Sequence, residues 1–189
     1  MIELLAQRLR QRSPREIELT ANQQAALAVI LAPNGETGLL DLLLIQRAER
    51  AGDPWSGHMA LPGGQRDASD ADLRATAVRE TREETAIELE EARFLGQLDD
   101  VRPIRQSERN LVVRSFVYAT ARRPEIQLSS EVAQALWIPF GSLRGLAGEA
   151  EVVHRDLPLR VPAFVLEHRV VWGMTQRILA GLLDLADSR

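Results

Sequence analysis

The chain has 189 residues and no cysteine, which excludes a disulfide framework and a thiol nucleophile. All 23 basic side chains are arginine, which excludes a lysine Schiff base and a P-loop lysine. The composition, 45% hydrophobic and 26% charged with a net charge of −4, suits a globular chain and offers no global basic field to draw nucleic acid or an anionic membrane.

In chain order, residues 1–16 are amphipathic, with Ile2, Leu5 and Leu9 at helical spacing, and predict a docking helix. Ala25–Leu31 and Leu39–Arg47 predict strands around a turn at Pro33, Gly35 and Gly38. Ala51–Ser56 reads as a loop and Met59–Leu61 as a short strand entering a glycine turn at Gly63–Gly64. A helix follows to about Thr85, capped by Ser69 or Asp70, with Asp72 adding negative charge to its first turn. Arg93–Leu98 and Leu111–Thr120 alternate as strands and flank a polar loop. Trp137–Pro139 predicts a strand before a turn at Gly141–Gly145, and Glu151–Val161 a hairpin. The last element is a helix, Thr175–Asp187, with Ile178, Leu179, Leu182, Leu183 and Leu185 facing inward. No stretch is apolar enough for a signal peptide or a membrane span, so the expectation is a cytoplasmic protein.

The segment Leu61–Leu89 carries the chemistry. Glu80 and Glu84 stand one helical turn apart with Glu83 between them, so all three are expected on one face. Leu73 and Ala77 share that azimuth, so the acids continue an apolar stripe toward the interior. Like charges on neighbouring turns repel, and half-burying them is costly unless a cation neutralises them. Such oxygen-rich sets suit Mg²⁺ or Mn²⁺, which also bind substrate phosphates. An acidic surface helix paired with Arg79 and Arg82 is the alternative for this string taken alone.

With the glycines upstream, the segment resembles the signature of the Nudix hydrolases. Gly64 matches its first glycine, and Arg79, Glu80, Glu83, Glu84 and Ile87 match its second half. Asp70 stands for the first glutamate, as a cap or ion-pair partner. The gap from Asp70 to Arg79 is one residue longer than the pattern, Thr81 replaces an aliphatic residue, and Ala86 replaces the late glycine. The longer gap is similar to the coenzyme A pyrophosphatase branch. Arg47, Gly57, Pro62, Gly63 and Gly64 also match that branch, whereas His58, Met59 and Leu61 depart from it and Trp55 stands where it has His. Val170–Leu179 resembles its closing segment. The resemblance runs from about Ala25 to Leu183.

The resemblance implies an α/β fold, a Nudix-type α/β/α sandwich with a mixed β-sheet, formed by residues 21–189 behind an N-terminal helical extension at 1–20. It implies metal-dependent hydrolysis of a nucleoside diphosphate-linked small molecule, with Mg²⁺ or Mn²⁺ on Glu80, Glu84 and Glu83. Glu83, Arg79 and Glu131 are the candidate catalytic residues, Glu131 as a loop general base with Asp99, Asp100 and Glu108 behind it. Gly63, Gly64, Arg47, Arg66 and Trp55 are the candidate substrate contacts. Arg50, Arg102, Arg105 and Arg109 are further partners for the 3′-phosphate of coenzyme A. Three functions stay open: cleavage of coenzyme A or acyl-coenzyme A to 3′,5′-ADP and (acyl-)4′-phosphopantetheine, cleavage of another nucleotide, or a non-catalytic nucleotide-binding module. Neither a nucleic-acid nor a membrane partner is expected, and the oligomeric state is left open.

Overall fold

In a computed structural model of the chain, residues 1–18, 24–53, 55–103, 111–154 and 157–187 are described. Two adjacent apolar strands start the architecture. Strand β1 (Gln24–Pro33) pairs antiparallel with β2 (Leu40–Arg47) and parallel with β6 (Val112–Ala119). Because successive strand side chains point to opposite faces, β1 divides its residues between two cores. Val29 and Leu31 join Leu42 and Leu44 of β2 on one face, and Ala26, Ala28 and Ile30 join Leu43 on the other. A strand buried on both faces reads as a continuous apolar run, as β1 and β2 do.

Among the described residues the sheet has seven strands. Its main order is β3 (Met59–Ala60), β2, β1, β6, β5 (Arg93–Gln97), while β4 (Gly63–Gln65) pairs with β1 and β7 (Val132–Pro139) pairs with β2. Helix α2 (Leu73–Thr85) covers one face through Leu73 and Ala77. Helix α1 (Ile2–Gln11) and helix α3 (Gly173–Asp187) cover the other through Leu5, Leu9, Ile178, Leu179 and Leu182. Helices on both faces of a mixed sheet make the expected α/β/α sandwich. No helix among the described residues is long and apolar enough to cross a membrane.

A second, three-stranded sheet, β8 (Ala147–His154), β9 (Leu157–Leu166) and β10 (Arg169–Trp172), lies before α3. It contains the predicted hairpin and extends it at both ends. Three local expectations change. The cap of α2 is Asp72, whose carboxylate accepts from the Ala75 N–H at 2.8 Å, rather than Ser69 or Asp70. Strand β7 begins five residues earlier than Trp137, since its whole length pairs with β2. The glycine pair is itself a strand, β4, rather than a turn.

Candidate active site

The site forms where β4 passes beneath α2. Ala26 and Leu27 of β1 pair with Gly64 and Gly63, which places both glycines against the helix face carrying Glu80 and Glu84. The Gly63 N–H donates to Oε2 of Glu84 at 2.9 Å. At Gly64 a Cβ would lie 2.5 Å from the Glu80 carboxylate carbon, so only glycine leaves that carboxylate in place. Gly63 has φ +141°, and a Cβ there would meet the Ala26 carbonyl oxygen at 2.2 Å. The close approach of backbone to carboxylate therefore rests on both glycines, for different reasons.

Arg79 fixes the acidic end from behind. Its Nε and Nη2 donate to the two oxygens of Asp70 at 2.9 and 3.0 Å. Nη1 donates to Glu80 at 2.9 Å and to Glu83 at 3.0 Å, and Nη2 also reaches the Gln65 carbonyl at 3.1 Å. Asp70 is buried and further accepts from the Asp67 N–H and the Thr76 hydroxyl. The Arg79 guanidinium holds the Asp70 carboxyl well below the usual carboxylate range. Asp70 is thus the ion-pair partner of the motif arginine and not a cap.

Burial acts in the opposite direction on the two acids facing the glycines. Burial pushes the Glu84 carboxyl up to about 7; the Gly63 N–H opposes this, and nearby Glu80 reinforces it. Burial also raises Glu80, against the hydrogen bond from Arg79 and with help from Glu83 and Glu131. Oε1 of Glu84 and Oε2 of Glu80 accept no hydrogen bond from the described residues. Two half-satisfied, desolvated carboxylates fit a hard divalent cation, which would relieve both their repulsion and their poor solvation.

Glu83 does not join them. Its side chain is 54% exposed and turned onto Arg79. Among the described residues no three histidine or acidic side chains converge as a ready ion cage. The expected one-face set of three therefore resolves into Glu80 and Glu84 facing the glycines and Glu83 at the rim.

Glu80 and Glu84 open into a cleft of about 420 Å³ that also exposes Arg47, Trp55, Gly63, Gly64 and Glu131. The rest of its lining is largely apolar and aromatic, with Leu27, Ile45, Met59, Met174 and Trp172. Seven of the nine proposed site residues other than Glu83 line this cleft; Arg79 stands behind it, and Arg66 turns away to Gln24 and the Asp70 and Ala71 carbonyls. Arg47 pairs with Asp53 at 2.8 Å, and Arg50 with Glu131 at 3.1 Å. Asp99 and Asp100 lie elsewhere, bound to Arg12 and Arg114. Glu108, Arg105 and Arg109 fall outside the described residues.

This apolar lining was only partly visible in sequence. Met59 and Met174 fall inside segments compared with the coenzyme A branch but were given no site role, and His154 showed no partner. Its ring nonetheless packs 4.7 Å from Trp55, and Trp172 and His58 complete a cluster of four rings from separate segments.

The NUDIX domain family model matches residues 21–158. The chain belongs to the Nudix family. The protein is similar to the Nudix hydrolase NudL of Salmonella dublin, at 32% identity over 89% of this chain and 86% of that protein. It is 45% identical to a Schizosaccharomyces pombe protein over 54% of this chain, a match spanning only 32% of that longer protein. In structure it is similar to a MutT/nudix family protein from Enterococcus faecalis, with a TM-score of 0.62 at 21% identity, covering 100% of this chain and 70% of that one. A Caenorhabditis elegans Ap4A hydrolase aligns with a TM-score of 0.53 at 22% identity over 64% of this chain and 82% of its own. These two likenesses speak for the fold. As a Nudix hydrolase the protein is a pyrophosphohydrolase of nucleotide-linked compounds, a class that generally uses divalent metal ions.

Proposed function

We propose that the protein hydrolyses the diphosphate of coenzyme A or its acyl derivatives, giving 3′,5′-ADP and (acyl-)4′-phosphopantetheine, with Mg²⁺ or Mn²⁺ held by Glu80 and Glu84. The observation that carries the chemistry is the placing of the buried Glu84 and half-buried Glu80 against the Gly63–Gly64 strand, in a cleft that is also lined by apolar side chains. The longer Asp70–Arg79 spacing and the Val170–Leu179 segment support the coenzyme A branch, and the apolar lining suits a pantetheine arm.

A divalent cation bound here supplies charge neutralisation for the diphosphate and an acidified water. The chain's own residues do the rest. Arg79 holds the Glu80 carboxylate in its rotamer, and the Gly63 N–H holds that of Glu84. Glu131, which lines the cleft and pairs with Arg50, is the proposed acceptor of the attacking water's proton once Arg50 releases it. Glu83, outside on Arg79, is the third carboxylate of the set and the alternative base. Arg47 and Trp55 are the proposed contacts to phosphate and to an aromatic or apolar substrate group. The cysteine-free composition is in keeping with a cytoplasmic setting.

The test is a panel of coenzyme A, acetyl-coenzyme A, NADH, ADP-ribose and a nucleoside triphosphate, each with Mg²⁺ or Mn²⁺ and with products separated by chromatography. Fastest release of 3′,5′-ADP from the coenzyme A compounds supports the reading. Faster cleavage of another diphosphate overturns the substrate while leaving the Nudix chemistry intact.

A further inference from the structure

A second cavity lies behind the aromatic wall. Trp172 and His58 stand edge to face, 5.1 Å between ring centroids, and border both the catalytic cleft and a separate cavity of about 420 Å³. Gln46, Val152, His168 and Arg169 line that second space. Arg169 is its principal cation. One guanidinium nitrogen donates to the neutral Oε1 of Gln134 at 2.7 Å, while its Nε is buried without a hydrogen-bond partner. Among the described residues no carboxylate pairs with it. His168, exposed at the rim, is 3.9 Å from the Glu167 carboxylate.

The arginines nearer the glycines each hold a carboxylate: Arg47 that of Asp53, although its Nε is likewise unmet, Arg50 that of Glu131 and Arg79 that of Asp70, whereas Arg169 holds none among the described residues. A buried N–H left unmet is costly, and a guanidinium fork matches the oxygens of a phosphate. Arg169 combines a guanidinium that lacks a carboxylate partner among the described residues with a cavity that shares His58, Met59 and Trp172 with the catalytic cleft.

We propose that this cavity receives a phosphate monoester carried on the sugar of the nucleotide, apart from the scissile diphosphate, and that Arg169 is its partner. The proposal rests on the reading of the cleft as a nucleoside diphosphate hydrolase site, and it makes the extra phosphate a determinant of specificity. A planar base beside the Trp172–His58 wall would present its sugar to both spaces.

The experiment compares wild type with Arg169→Gln, and with Arg160→Gln as a control, since Arg160 is an exposed partner of Glu149 on the same small sheet. Calorimetric titration with 3′,5′-ADP and with 5′-AMP reads the subsite without catalysis. Wild type and the control should bind 3′,5′-ADP about ten- to a hundredfold more tightly than 5′-AMP, the scale of a charged hydrogen-bonded pair. Arg169→Gln should lose that preference while its 5′-AMP affinity stays unchanged, and its KM should rise for coenzyme A but not for 3′-dephospho-coenzyme A. A preference that survives Arg169→Gln, or no preference in wild type, overturns the subsite. Equal loss of both affinities makes Arg169 a structural residue and overturns it too. If no coenzyme A compound is cleaved but the Arg169-dependent preference remains, the subsite stands and the proposed substrate falls.

Discussion

The Gly63 N–H donates to Oε2 of the buried Glu84 at 2.9 Å, so the backbone of an inserted strand positions a carboxylate of the helix above it. The neighbouring glycine serves Glu80 by a different route, leaving room for its carboxylate. The two glycines should therefore fail differently. Gly64→Ala places a methyl against the movable end of Glu80, so stability should stay within about 1 kcal/mol of wild type while metal-dependent turnover falls by about a hundredfold or more. Gly63→Ala forces both a disfavoured φ and a clash with the Ala26 carbonyl, and should destabilise the fold by more than about 3 kcal/mol. Chemical denaturation and turnover measured on both variants check the split.

Arg79 serves Asp70, Glu80, Glu83 and the Gln65 carbonyl at once. Arg79→Ala leaves Asp70 buried and unpaired, at a cost of about 3 to 5 kcal/mol. Arg79→Lys keeps the charge but not the fork, so it should recover part of that stability while turnover stays low. Equal turnover in Arg79→Lys and wild type would remove the positioning role.

Burial raises the Glu84 carboxyl from 4.5 to about 7. A raised carboxyl pKa means the folded protein binds the proton more tightly than the unfolded chain. Metal-free stability should accordingly fall as pH rises from about 4.5 to 7, by roughly 3.5 kcal/mol at most at about 1.4 kcal/mol per unit. Glu84→Gln should flatten this slope. In the same window divalent-ion affinity should rise with pH, as the cation competes with the proton. Thermal melts with and without Mn²⁺ across that range read both effects.

Two departures from the family signature leave a mark on the fold. Ala86 ends α2 in the left-handed conformation, φ 59° and ψ 18°, where the signature has glycine. Ala86→Gly should stabilise by about 0.5 to 1 kcal/mol, the left-handed penalty less the flexibility that glycine adds to the unfolded chain. Thr81 is fully buried with no hydrogen-bond partner for its hydroxyl among the described residues. Thr81→Val should stabilise by about 1 kcal/mol. Denaturation midpoints of the two variants decide both.

What sequence revealed and what it hid divide by range. The acids of α2 and the glycines before them lie within one segment, and their spacing carried both family and chemistry. The apolar runs Ala25–Leu31 and Leu39–Arg47 likewise marked β1 and β2 as strands. The orientation of Glu83 was hidden, because helical azimuth places a side chain but not its rotamer, and Arg79 draws this one outward. β4 was taken for a turn because glycines carry no strand propensity, and pairing with β1 overrides that. The Trp55, His58, His154 and Trp172 cluster joins segments far apart in sequence, which no local pattern announces. The cap passed from Ser69 or Asp70 to Asp72 once Arg79 claimed Asp70.

The most direct test of the account is Mn²⁺ affinity and coenzyme A hydrolysis measured side by side in wild type, Glu80→Gln and Glu84→Gln. The account predicts that each substitution weakens Mn²⁺ binding about tenfold or more and cuts turnover by several orders of magnitude, with the fold intact by circular dichroism. Wild-type Mn²⁺ affinity and turnover in Glu84→Gln would contradict it, because the centre would then lie away from the Gly63–Glu84 contact.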